Sequence, residues 1–87
     1  MVYTIKLEPL RVKDSFTILK IIIENDNIAL DSIKNSYVQY IQFDFEGSMS
    51  EVRAFLQLIN TKADFKLLNI KEKKLNWFQK LFCKENK

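Results

Sequence analysis

The hydrophobic and polar positions of this chain change period at its single glycine. Ile41, Phe43 and Phe45 alternate with Gln42, Asp44 and Glu46, the period of two that marks a half-buried β-strand. After Gly47, Ser48 and Glu51 stand at capping-box spacing. The Ser48 hydroxyl can accept from the amide of residue 51, and Glu51 can reach back to the amide of residue 48. Val52, Phe55, Leu56 and Ile59 then recur at helical spacing, with Arg53, Gln57 and Asn60 opposite. The pattern predicts a strand over 37–46 and a helix over 49–60.

The same reading places a first strand over 2–8, with Tyr3, Ile5 and Leu7 on one face and Thr4, Lys6 and Glu8 on the other; Pro9 ends it. Asp14 or Ser15 can cap a helix over 15–25 that carries Phe16, Leu19, Ile22 and Ile23. The β-branched content of 16–23 would also suit a buried strand; the length of the run and its capping residues decide for a helix. Asn25, Asp26 and Asn27 form a turn. A second strand is expected over 28–34, with a slip in alternation between Leu30 and Ile33 that marks a bulge. Asn35 and Ser36 then make a hairpin turn. A loop over 61–64 leads to a fourth strand over 65–72. The order β-α-β-β-α-β predicts an α+β, ferredoxin-like sandwich: a four-stranded antiparallel sheet with two helices on one face. Its expected core is Ile5, Leu19, Ile23, Ile41, Phe43, Phe45, Val52, Phe55, Leu56 and Ile59. Residues 1–74 form this domain, and 75–87 form a basic amphipathic tail that gathers Leu75, Trp77, Phe78, Leu81 and Phe82 on one side.

Composition adds limits. Eighty-seven residues make one small domain, and a 47% hydrophobic content suffices for a core. The net charge of +3 is weak and sits near the C-terminus: from Lys62 onward eight lysines face Asp64, Glu72 and Glu85. A nucleic-acid footprint over the whole domain is therefore not expected. Cys83 is the one cysteine, so no internal disulfide forms. No stretch approaches the roughly 20 apolar residues of a membrane span, and no signal-peptide pattern is visible.

Candidate chemistry is sparse. There is no histidine, which removes the usual general base near neutral pH and the commonest metal ligand. Cys83 reads as a small apolar residue of an amphipathic helix. Gly47 alone cannot build a phosphate loop. Asp44 and Glu46 share a strand face, which reads as solvated rather than catalytic. Asp26 and Asp31 lack the spacing of a calcium loop. No catalytic residue, metal site or cofactor is expected, and the chain is not expected to be an enzyme. Tyr40, on the polar face of the third strand, raises base stacking on an open sheet. Side-chain parity opposes that: Tyr3 shares its face with Ile5 and Leu7, and a stacking Tyr3 would leave Lys6 inside. The tail, with Trp77, Phe78 and Phe82 among lysines, could lie on a membrane surface, cover the open sheet face, or meet a partner.

Between residues 14 and 73 the chain resembles the periplasmic ferredoxin-like domains of pilus and type II secretion assembly proteins, the PilO and GspM type. The matching residues are Ile18-Leu19, Ile28-Ala29-Leu30, the run from Ile41 to Ser48, then Val52, Phe55-Leu56, Ile59 and Leu67-Leu68-Asn69-Ile70. This resemblance implies a bacterial, non-catalytic scaffold that forms homo- and heterodimers at the periplasmic face of an inner-membrane platform. The preceding membrane helix and coiled coil of that family are missing here, and the tail replaces a final strand. The same segment is similar to an ACT domain through residues 27–33 and 43–47, which implies amino-acid sensing, at a cytoplasmic location. Where ACT effectors bind, however, the chain reads Arg11-Val12-Lys13-Asp14-Ser15, without the glycine that lets backbone approach a ligand. The leading expectation is an assembly domain, the alternative an ACT-like sensor. A homodimer or a complex with a related assembly protein is expected, with Tyr40, Trp77, Phe78, Leu81 and Phe82 as contact residues.

Overall fold

The alternating segments form strands in the computed structural model, which describes residues 1–36 and 39–73. β1 spans Val2–Pro9, β2 Lys34–Ser36, β3 Tyr40–Glu46 and β4 Phe65–Glu72, while α1 spans Val12–Ile23 and α2 Met49–Asn60. The sheet order is β2-β3-β1-β4 and every neighbouring pair is antiparallel. This is an α+β fold with the ferredoxin-like β-α-β-β-α-β arrangement.

Register explains the core. Tyr3 pairs with Phe45, Ile5 with Phe43 and Leu7 with Ile41, so six apolar side chains project from one face in rows. Ile18 and Ile22 of α1 and Val52, Phe55 and Ile59 of α2 complete the cluster. The Phe55 ring stands edge-on to Phe43 at 5.8 Å and tilted against Phe45 at 5.3 Å. The turn into α2 follows the predicted box: the Glu51 N–H donates to Ser48 Oγ at 3.2 Å, and the Ser48 N–H to Glu51 Oε1 at 3.0 Å. Gly47 is required by space. A Cβ there would lie 2.9 Å from Phe45 Cε1 and 3.2 Å from Glu51 Oε1.

Two expectations are corrected. The strand expected over 28–34 is interrupted. Ile28 bridges to Phe45, a 3-10 turn follows at Leu30–Ser32, and pairing resumes only at Lys34, opposite Gln42. Six steps along this segment thus face three along β3, and the turn absorbs the surplus. The Ser32 hydroxyl donates to the Ala29 carbonyl at 2.6 Å and accepts the Asp44 N–H at 3.0 Å, standing in for a ladder bond. The slip between Leu30 and Ile33 marks this turn, not a bulge. Asn35 and Ser36 belong to β2 rather than to a hairpin turn. The first two positions of the expected third strand, 37 and 38, lie outside the described residues, as does the tail.

The phase of α1 differs too. The helix starts at Val12 and its N-cap is Arg11, with no side-chain cap, so neither Asp14 nor Ser15 caps it. Its buried residues are Asp14, Ile18 and Ile22. Leu19 is partly buried, whereas Phe16 and Ile23 are exposed, so Ile23 is no core residue. Leu56 of α2 likewise packs only at the edge of the core. The phase that buries Ile18 and Ile22 in the core also brings the Asp14 carboxylate to Arg11 and to the backbone N–H of Asp64, which satisfy it there.

Candidate interaction surfaces

The strand side chains facing away from the helices form a polar face. Thr4 lies between Asp44 and Lys71, and Lys6 between Gln42 and Asn69. The Asp44 carboxylate accepts from Thr4 Oγ1 at 2.7 Å and from Lys73 Nζ at 2.9 Å. Burial opposes ionisation of Asp44, but the bonds from Lys73 and Thr4 outweigh it and hold the carboxyl below its ordinary range. A carboxylate whose pKa is lowered is a poor proton donor near neutrality. Tyr40, half-buried at the end of this face, carries Lys6 Nζ 4.3 Å from its ring centre. The ring surface on which a base would stack therefore already holds a cation. A wide, open concavity of about 680 Å³ lies here, bordered by Thr4, Ser32, Lys34, Gln42, Asp44 and Lys71.

A second polar cluster joins the start of α1 to the end of the loop before β4. Arg11 Nε donates to Asp14 Oδ2 at 3.0 Å and Arg11 Nη2 to Asp64 Oδ2 at 2.6 Å. The backbone N–H of Asp64 donates to Asp14 Oδ1 at 3.1 Å. That backbone bond first, and Arg11 next, lower the Asp14 pKa against the effect of burial; the Asp14 bond raises that of Arg11. Arg11 and Asp14 lie in the segment that stands where an ACT effector turn would, and they bond each other and Asp64.

The third surface is apolar. Val12, Phe16, Leu19 and Ile23 recur at spacings of four, three and four, so they lie along one flank of α1. Leu19 is half-buried where the flank meets the core, but Val12 is 74%, Phe16 69% and Ile23 56% exposed. Lys13, Lys20 and Glu24 border the flank on its polar side. Near the start of α1, Leu10, Val12 and Ser15 form one wall of a groove of about 170 Å³, and Asn35, Ser36 and Tyr40 the other. The start of the flank, at Val12, thus lies beside the β2 edge, where the strand is only three residues long. The outer side of α2, by contrast, carries Arg53, Gln57 and Asn60, with Leu58 its one exposed large apolar residue.

Of the contact residues expected from sequence, Tyr40 lies on the polar sheet face, beside this groove; Trp77, Phe78, Leu81 and Phe82 lie outside the described residues. Val12, Phe16 and Ile23 were missed as surface residues. Their signal was present, since α1 carries two apolar rows, but the helix was expected to begin only near 15, which left Val12 outside it, and Leu19 and Ile23 were assigned to the core. Among the described residues no group of three or more His, Cys, Asp and Glu side chains could hold a metal ion, and no helix is long and apolar enough to cross a membrane. No protein-family model matches the chain, and no curated protein is detectably similar to it.

Proposed function

We propose that this chain is a non-enzymatic protein–protein interaction domain, and that the outer flank of α1 is its contact surface. The observation that carries the reading is the row Val12, Phe16 and Ile23, left in water on a helix whose other row fills the core. Such a row costs solubility, and its burial against a partner would be favourable at about 25 cal/mol per Å² of apolar surface. The resemblance to pilus and type II secretion assembly domains gives the reading its context: a scaffold at the periplasmic face of an inner-membrane platform, acting through a homodimer or a related assembly protein. Catalysis, cofactors and nucleic acid have no part in it.

An ACT-like sensor is the competing reading. Against it, Arg11 and Asp14, in the segment where an effector turn would lie, bond each other and Asp64. The test is the native mass of the chain in extracts of its own cell. Phe16→Asp is expected to keep the circular dichroism of the wild type and to lose its high-mass complex. An unchanged complex would overturn the reading. Saturable binding of one amino acid that shifts the amides of residues 11–15 would overturn it in favour of sensing.

A further inference from the structure

We draw no further inference here: the strongest candidate, the exposed apolar flank of α1 formed by Val12, Phe16 and Ile23, is the surface already described, and nothing in the structure shows what covers it.

Discussion

The Asp14 carboxylate accepts a hydrogen bond from the backbone N–H of Asp64 at 3.1 Å, across fifty residues of chain. That bond, with Arg11 bridging both carboxylates, ties the buried row Asp14, Ile18 and Ile22 to the loop before β4, while Val12, Phe16 and Ile23 of the other row stay exposed. Removing the bond should be felt in the fold. Asp14→Ala leaves the Asp64 N–H without its acceptor, whereas Asp14→Asn keeps an acceptor and loses only charge. The expected order of urea midpoints is wild type, then Asn, then Ala. An Ala variant as stable as the wild type would show that the bond contributes nothing to the fold.

Acid should reveal the same cluster. The folded pKa of Asp14 is lowered, first by the Asp64 N–H; that of Glu51 is lowered, first by the Ser48 N–H; and Asp44 is lowered despite burial, through Lys73 and Thr4. A depressed folded pKa contributes stability above the unfolded carboxylate range, near pH 4, and that contribution is lost as pH falls through the folded values. The urea midpoint should therefore fall below about pH 4, and fall less steeply in Asp14→Asn. An identical acid slope in the two proteins would contradict this.

Truncations separate the two rows of α1. Ile18→Ala should cost about 2–5 kcal/mol and Phe55→Ala about 3–5 kcal/mol, because both side chains are enclosed. Phe16→Ala, a change at the surface of the isolated monomer, should stay within about 0.5 kcal/mol when measured at a concentration where the chain is monomeric. Chemical denaturation measures all three. A loss below about 1 kcal/mol at Ile18, or a large one at Phe16, would reverse the assignment of faces.

The turn into α2 gives two further expectations. Ser48→Ala removes the acceptor for the Glu51 N–H and should cost about 1 kcal/mol. Gly47→Ala must push the Phe45 ring, which leans on Phe55 in the core, and should cost about 1–3 kcal/mol. A Gly47→Ala protein as stable as the wild type would mean that the ring gives way freely.

Strand β4, helix α2 and its capping box were legible to the residue, because period, cap and turn residue agreed locally. The ferredoxin-like order followed from them. Two features were not. Residues 28–34 are apolar enough for a strand, but the Ser32 hydroxyl competes for the Asp44 amide and bends the chain. In α1 the row Phe16, Leu19, Ile23 is bulkier than Ile18, Ile22, and bulk alone favours burying it. The row that is buried carries Asp14, whose partner is a backbone amide fifty residues away, which no local pattern encodes. The candidate surface was hidden for the same reason: it is the row that lost.

A photo-crosslinking scan in the native cell tests the central claim, that the α1 flank is the contact surface. A photoreactive phenylalanine analogue would be placed in turn at Val12, Phe16, Thr17, Lys20, Ile23 and, on α2, at Arg53. Discrete protein adducts are predicted at 12, 16 and 23, weak ones at 20, and none at 17 or 53, which reproduces the helical period of the flank. Adducts without that period, or equal yield at Arg53, would contradict it.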